Sequence, residues 1–154
     1  MASVENDLQV SLNLPFPAAT KQVAGLVNGI QTDVMVISFS DKIIVTISQE
    51  GRLAHWLHVP LGNQNPGTDG MHTFSQASED SLLPLSDLTA TSILGGYAPG
   101  QDTIGQLFAR QIGTAIATKS PSEKRLLVVG LGLGSTGADR NSFFAVIDLV
   151  LHCI

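Results

Sequence analysis

The sequence predicts an α+β fold, with a mainly antiparallel sheet of about six strands and two helices packed on one face. Two observations predict this class. Four segments rich in apolar and β-branched residues follow one another between residues 22 and 59 with tight turns between them, and short connections favour antiparallel neighbours. In the second half of the chain, strand-like and amphipathic helical patterns alternate.

The first half contains four predicted strands with short connections. The turn signals Asn28-Gly29, Ser40-Asp41 and Glu50-Gly51 separate them. Connections this short predict a meander. The strands are Gln22–Val27, Thr32–Phe39, Lys42–Ser48 and Arg52–Val59.

The second half supplies the remaining elements. A strand is predicted at Thr89–Leu94 and another, with a continuous apolar run, at Arg125–Leu131. One helix is predicted to begin at Asp102, which can cap it, and to end near Thr118. The second helix is predicted from about Asp139 to the last residue.

The domain organisation follows from length and local composition. A chain of 154 residues fits one domain. Residues 1–20 are predicted to be a flexible leader because Pro15 and Pro17 interrupt regular structure. Residues 21–154 are predicted to form a single domain, in which the segment 62–87, rich in Gly, Pro, Asn, Ser and acids, is a disordered loop.

Charge and hydropathy exclude several function classes. The net charge is −5 and the eight Lys and Arg residues are scattered, which argues against nucleic acid binding. The first residues lack the basic start and apolar run of a signal peptide, and no stretch reaches the roughly 18 apolar residues of a membrane span. We therefore expect no membrane partner and a location in the cytoplasm, or in cytoplasm and nucleus.

The charged fraction is low. Only 14% of residues are charged, against about 25% in a typical soluble domain. Two interpretations fit this composition: a surface rich in Ser, Thr, Gln and Gly, or a surface that a partner covers.

Apolar alternation in the second and third strands predicts a dimer interface. Two helices can cover only one face of the sheet, so we expect a second chain to cover the other. The sequence does not assign the faces, and both sets are candidates for the interface. One set is Met35, Ile37, Phe39, Ile43, Val45 and Ile47; the opposite set is Val34, Val36 and Ile44.

A glycine-rich turn is the main motif that could bind a small molecule. Gly132–Gly137 matches G-x-G-x-x-G and lies between a predicted strand and a predicted helix. The second parallel strand and its acid, about 20 residues further on, are missing. We therefore predict no nucleotide binding there, and a small-molecule or nucleotide-binding α/β module remains the alternative.

Catalytic and metal patterns are weak. His55 and His58 are predicted to point to opposite faces of their strand, and no converging set of three or four zinc ligands is present. Cys153 does not fit a prenylation box, and it diverges from the adjacent His152 on a helix. No G-x-S-x-G nucleophile elbow occurs. The sequence therefore predicts no catalytic residue, no metal site and no cofactor.

Two ordered segments resemble the proteasome assembly chaperone 3 family. The first is KQVAGLVNGIQTDVMVISFSDKIIVTISQEGRLAHWLHVPL, with a Gln-x-Gly turn at Gln49-Glu50-Gly51. The second runs from TATSILGG through GQLFARQIGTAIA and RLLVVGLGL to the terminal helix, with Leu94-Gly95 and Phe108-Ala109-Arg110 as its anchors. The 62–88 loop is longer here than in the family pattern, and the turn Gly134–Arg140 departs from it.

The resemblance implies a non-enzymatic assembly chaperone. Such a protein pairs with a like-folded partner, proteasome assembly chaperone 4, and binds α-type subunits while the α-ring of the 20S core particle forms. The implied state is a heterodimer, with a homodimer as the alternative in isolation. A second alternative is a profilin-like or longin-like structural subunit of a trafficking complex.

Overall fold

A computed structural model describes residues 18–62, 88–134 and 139–154. The described ranges contain six strands and two helices. In chain order these are β1 (Ala19–Val27), β2 (Ile30–Ser38), β3 (Lys42–Gln49), β4 (His55–Pro60), β5 (Thr91–Leu94), α1 (Gln101–Lys119), β6 (Leu126–Gly132) and α2 (Arg140–Leu151). Residues 1–17 and 63–87, which include most of the predicted leader and loop, lie outside the described residues.

The strands form one sheet in the order β1-β2-β3-β6-β4-β5. All neighbours are antiparallel except β3 and β6, which are parallel. The predicted α+β class, with six strands and two helices, is confirmed. The predicted four-strand meander is wrong beyond β3, because β6 pairs between β3 and β4.

Two turns predicted from sequence have the expected backbone. Asn28 and Gly29 both have positive φ, at 52° and 75°, as a two-residue hairpin turn requires. Glu50 and Gly51, at 55° and 71°, repeat this geometry. After the second turn Arg52 forms only an isolated bridge with Gln49. The fourth strand therefore begins at His55, three residues later than predicted, on the far side of β6.

The first strand begins earlier than predicted. Its whole length pairs with β2, from Ala19 opposite Ser38 to Val27 opposite Ile30. Residues 19 and 20, which the sequence assigned to the leader, therefore belong to the sheet.

Both helices contribute to one core with one face of the sheet. Phe108 of α1 is fully buried and its ring lies 4.5 Å from that of Phe143 in α2. Val146 and Val150 of α2 join the same cluster. The strands contribute Val34, Val36, Ile43, Val45, Ile47, Leu57, Val59, Leu127, Val129 and Leu131 to it.

The start of α1 differs from the prediction. Gly100, in the left-handed conformation with φ 80°, is the residue that precedes the helix, and Asp102 lies in its first turn. Asp102 therefore does not cap α1; its carboxylate accepts a hydrogen bond from the Ser92 hydroxyl of β5. An acid in the first turn still stabilises the positive end of the helix dipole.

Candidate functional site: the open face of the sheet

Strand register assigns the predicted interface residues to the two faces. Val36 lies opposite Val45, and Ile37 lies opposite Ile44. Directly opposed residues point to the same side of a sheet, so the predicted grouping across the two strands is wrong. The alternation within each strand was correct, but sequence alone did not fix how the two strands align.

Five of the nine candidate residues lie under the helices. They are at most 6% exposed and belong to the core, so they contact the protein's own helices and not a partner. These residues are Val34, Val36, Ile43, Val45 and Ile47. Met35, Ile37 and Ile44 lie on the opposite face and are half-buried.

We call that opposite side of the sheet the open face, since both described helices pack on the other side. Two rows of residues cross it through the strand pairings. One row joins Ile37, Ile44, Val128 and His58; the second joins Met35, Thr46, Gly130, Trp56 and Leu94. Leu94, on the edge strand, is 60% exposed.

Phe39 extends the open face at the β2–β3 turn. Its backbone N–H donates to the Lys42 carbonyl at 2.8 Å, which continues the pairing of the hairpin, and the residue is 38% exposed. Of the nine candidates, four therefore lie on or beside the open face: Met35, Ile37, Phe39 and Ile44.

Trp56 lies across the neighbouring strand. A Cβ built on Gly130 would come within 2.8 Å of the Trp56 ring, so the indole occupies the space that a side chain at position 130 would need. The flat ring thereby covers part of β6 and presents a wide apolar surface. Sequence reasoning missed Trp56 and Val128; the single tryptophan on an alternating strand was the available signal.

The centre of the open face carries no formal charge in the two rows that cross it. Asp33 lies on the same side of β2, two residues before Met35 and opposite Ser48 of β3. Lys42 lies at the start of β3, where its amino group pairs with Asp41 at 3.4 Å. His58 is the titratable group within the rows. The face is about 25 Å wide, from six strands spaced by about 4.8 Å. Apolar surface that the described residues leave without a covering helix is typical of interaction sites, and this makes the open face the candidate site.

A polar cluster links β4, β5 and α1 on the helix side. The Ser92 hydroxyl lies 2.8 Å from His55 Nε2 and donates to the Asp102 carboxylate. His55 is 6% exposed, and burial lowers its pKa, although Asp102 opposes that shift. Because Ser92 lies between the imidazole and the carboxylate, Asp102 does not orient His55 as a general base towards the serine. The cluster connects three elements.

The two histidines of β4 do point to opposite faces, as the sequence predicts. His55 is buried on the helix side, and His58 lies on the open face. Within residues 18–62, 88–134 and 139–154, no group of three His, Cys, Asp or Glu side chains could hold a metal ion. No helix in these ranges is both long and apolar enough to cross a membrane.

The described part of the glycine-rich turn packs against protein. A Cβ at Gly132 would overlap the backbone carbonyl of Arg52, and the Gly134 N–H donates to Gln49 Oε1 at 3.1 Å. Residues 135–138 lie outside the described residues. The close approach of the Arg52 backbone therefore explains why position 132 is a glycine, and this explanation requires no bound nucleotide.

Comparisons with known proteins give a likeness among solved structures. No protein-family model matches the sequence, and no curated protein matches it either. Among solved structures, a chain from the crystal structure of a novel chaperone complex for yeast 20S proteasome assembly is similar. The TM-score is 0.55, with 20% sequence identity over 90% of this chain and 96% of that one. The likeness shows that the two chains share a fold.

Proposed function

We propose that this chain is a non-enzymatic chaperone of 20S proteasome assembly that works as one half of a dimer. The observation that carries the proposal is the open face, an apolar sheet surface without a helix over it among the described residues. The fold that it shares with a chain of a yeast 20S proteasome assembly chaperone complex and the resemblance of its sequence to proteasome assembly chaperone 3 support the same role.

The partner in this proposal is a like-folded protein similar to proteasome assembly chaperone 4. Two sheets that pack face to face lie about 10 Å apart and bury the residues of both inner faces. Met35, Ile37, Ile44, Trp56 and Val128 would supply this chain's half of that layer. The dimer would then bind α-type subunits during formation of the α-ring, in the cytoplasm or in cytoplasm and nucleus.

Co-purification with both classes of partner tests the proposal. The full chain is co-expressed with a chaperone 4-like protein, and the purified complex is incubated with individual α-type subunits. We expect a 1:1 heterodimer by native mass spectrometry and a further complex with at least one α-type subunit. A chain that stays monomeric at high concentration and ignores both partners would contradict the proposal.

A matched pair of variants distinguishes the effect of a charge on the open face from the effect of the same charge elsewhere on the surface. Ile37→Asp places a charge at the centre of the open face, and Thr103→Asp places the same charge on the exposed first turn of α1. Burying one large apolar side chain stabilises by about 1.5–3 kcal/mol, so Ile37→Asp should raise the heterodimer Kd at least about tenfold. Thr103→Asp should leave the Kd unchanged.

A further inference from the structure

The two edges of the sheet differ in length and regularity. One edge is β5, which has four residues and pairs with β4 through an irregular register between Trp56 and Leu57. The other edge is β1, whose nine residues each pair with one residue of β2. Short or irregular edge strands oppose pairing with a further strand, whereas long and regular ones favour it. Of the two described edges, β1 is therefore the one suited to accept another strand.

The outer side of β1 presents a regular row of backbone groups. Val27 and Ile30 flank a two-residue turn with positive φ at both positions, so they close the hairpin as a hydrogen-bonded pair. Since the direction of the backbone groups alternates along an antiparallel strand, the N–H and C=O groups of every second residue point away from β2. These residues are Thr20, Gln22, Ala24 and Leu26. No strand within residues 18–62, 88–134 and 139–154 pairs with this side of β1.

The side chains of β1 do not oppose pairing at this edge. Charged residues, prolines and bulges are the usual features that keep edge strands apart. Between Ala19 and Val27 the strand contains no proline, and Lys21 is its single charged residue. Leu26 is 70% exposed, so the edge also offers apolar surface that a second strand would cover.

The strand is complementary to a second copy of itself. Two copies of β1 that run antiparallel about a two-fold axis at Val23 overlap along the whole strand. Gln22 then lies opposite Ala24 of the second copy, and Thr20 lies opposite Leu26 of the second copy. The outward N–H and C=O groups of these four residues therefore all find partners.

Charge and packing favour the same register. An axis at Lys21 would place two like charges directly opposite each other, which is destabilising. With the axis at Val23, the two Lys21 residues are four positions apart, or about 13 Å. Lys21 then lies opposite Gly25 of the second copy, beside the Leu149 side chain that lies on this glycine. Its methylene stem would pack on apolar surface while the amino group stays in water.

We propose that β1 is a self-association edge, through which two copies of this chain pair in antiparallel register about Val23 and form one continuous sheet. The pairing uses the edge of the sheet, whereas the proposed chaperone partner covers its open face. Met35, Ile37 and Ile44 stay uncovered in the paired copies, so both contacts are compatible. The inference does not rest on the proposed function.

A cysteine at the proposed axis tests the register. In an antiparallel pair that is not hydrogen-bonded, the Cα atoms are about 4.5 Å apart, a distance that a disulfide spans. Val23→Cys in the full chain should therefore form a disulfide between two copies under mild oxidation. The matched control is Thr20→Cys, which places a cysteine on the same strand but about 20 Å from its symmetry mate. We expect the bond to form at least about tenfold faster at position 23.

Non-reducing electrophoresis and mass spectrometry of peptides read the outcome. The peptide masses distinguish a bond between the two introduced cysteines from any bond to the buried Cys153. A faster bond for Val23→Cys between two copies supports the proposal. Equal rates for the two variants overturn it, because random collisions then explain the bond.

Self-association of the chain alone provides an independent readout, measured by sedimentation equilibrium over a range of concentrations. Ala24→Pro removes one outward N–H, a change that an edge strand tolerates, and should raise the Kd of the dimer at least about tenfold. Ala24→Ser keeps the N–H and should leave the Kd unchanged. Circular dichroism checks that both variants fold, and the cysteine variants decide the proposal if Ala24→Pro does not.

Ile37→Asp distinguishes the β1 edge from the open face in the same measurement. Because the edge pairing leaves Ile37 uncovered, this change should not alter the self-association of the chain alone. Two results would overturn the proposal. One is a wild type that stays monomeric at every concentration; the other is a dimer that Ile37→Asp dissociates and Ala24→Pro does not.

Discussion

Gly130 and Trp56 show how one absent side chain shapes a surface. The indole lies over the backbone of the neighbouring strand, where any Cβ at position 130 would collide with its ring. Glycine is unfavourable in a strand interior, and its presence there often marks a close approach. The tryptophan therefore keeps a fixed position on the open face because β6 carries no side chain beneath it.

Gly130→Ala tests this contact. The added methyl group would be 2.8 Å from the indole, so we expect the ring to move and the free energy of unfolding to fall by about 1–3 kcal/mol. Urea unfolding and the emission spectrum of the single tryptophan measure both effects. Gly134→Ala is the matched control, because among the described residues its Cβ would meet only Gln49 Oε1, at 3.9 Å. Equal effects of the two changes would count against the contact.

His55 makes stability depend on pH. Burial lowers its pKa in the folded protein below the ordinary value of 6.5, so the unfolded chain binds the proton more tightly. The stabilisation is complete above the unfolded pKa and is lost as pH falls below about 6.5. We expect the free energy of unfolding to decrease between pH 7.5 and pH 5.5.

The His55→Gln variant isolates this contribution. It keeps a polar side chain near Ser92 and removes the titration, so its stability should change less over the same pH range. Guanidinium unfolding at several pH values measures the difference. The other histidines are present in both proteins and cancel, so parallel pH profiles for variant and wild type would show that His55 does not contribute.

At the scale of elements, adjacent residues of β2 lie in two different environments. Val36 is 6% exposed beneath the helices, while Ile37 is half-buried on the open face, opposite Ile44. The insertion of β6 beside β3 joins the open-face residues of the first three strands to Trp56 on β4. The continuous surface thus depends on a strand that comes late in the chain.

Two neighbouring substitutions distinguish these environments. Val36→Asp buries a charge in the core and should unfold the protein or destabilise it by more than about 3 kcal/mol. Ile37→Asp should preserve the fold and weaken association. Circular dichroism reports the fold and light scattering reports the mass; if Ile37→Asp unfolds the chain as Val36→Asp does, or if neither changes association, the open face is not an interface.

At the scale of the whole molecule, the apolar residues exceed what the described helices cover. Leu107, Phe144 and Leu151 on the helices are 40–49% exposed, in addition to the open face. With 14% charged residues, the surface has few groups that oppose association. This agrees with a protein that functions in complexes.

The segment 62–87 remains a prediction from composition. Because it has few residues that could bury apolar surface, we expect a protease to cut there before it cuts elsewhere in residues 21–154. The segment has neither Lys nor Arg, so the digest requires a protease of broad specificity, followed by mass spectrometry. Survival of this segment while β-strands or helices are cut would contradict the prediction.

The sequence by itself determined which segments become strands and helices. The signals for these elements are local: the alternation along Thr32–Phe39 and Lys42–Ser48, turn residues such as Asn28-Gly29, and the apolar stripes of the helices. Each follows directly from the geometry of a strand, a turn or a helix. The α+β class and the expectation of an uncovered face followed from these signals. The opposite orientation of His55 and His58 did as well.

Only the tertiary structure decided which residues share the open face. Pairing register joins Ile37 to Ile44 and Met35 to Thr46, and a register shift by one residue would exchange the faces of a strand without changing its alternation. The position of β6 between β3 and β4 likewise rests on its pairing with residues far from it in the sequence. The continuous apolar run of β6 indicates that the strand is buried, but it does not identify the strands that pair with it. Contacts between residues distant in sequence leave no local pattern.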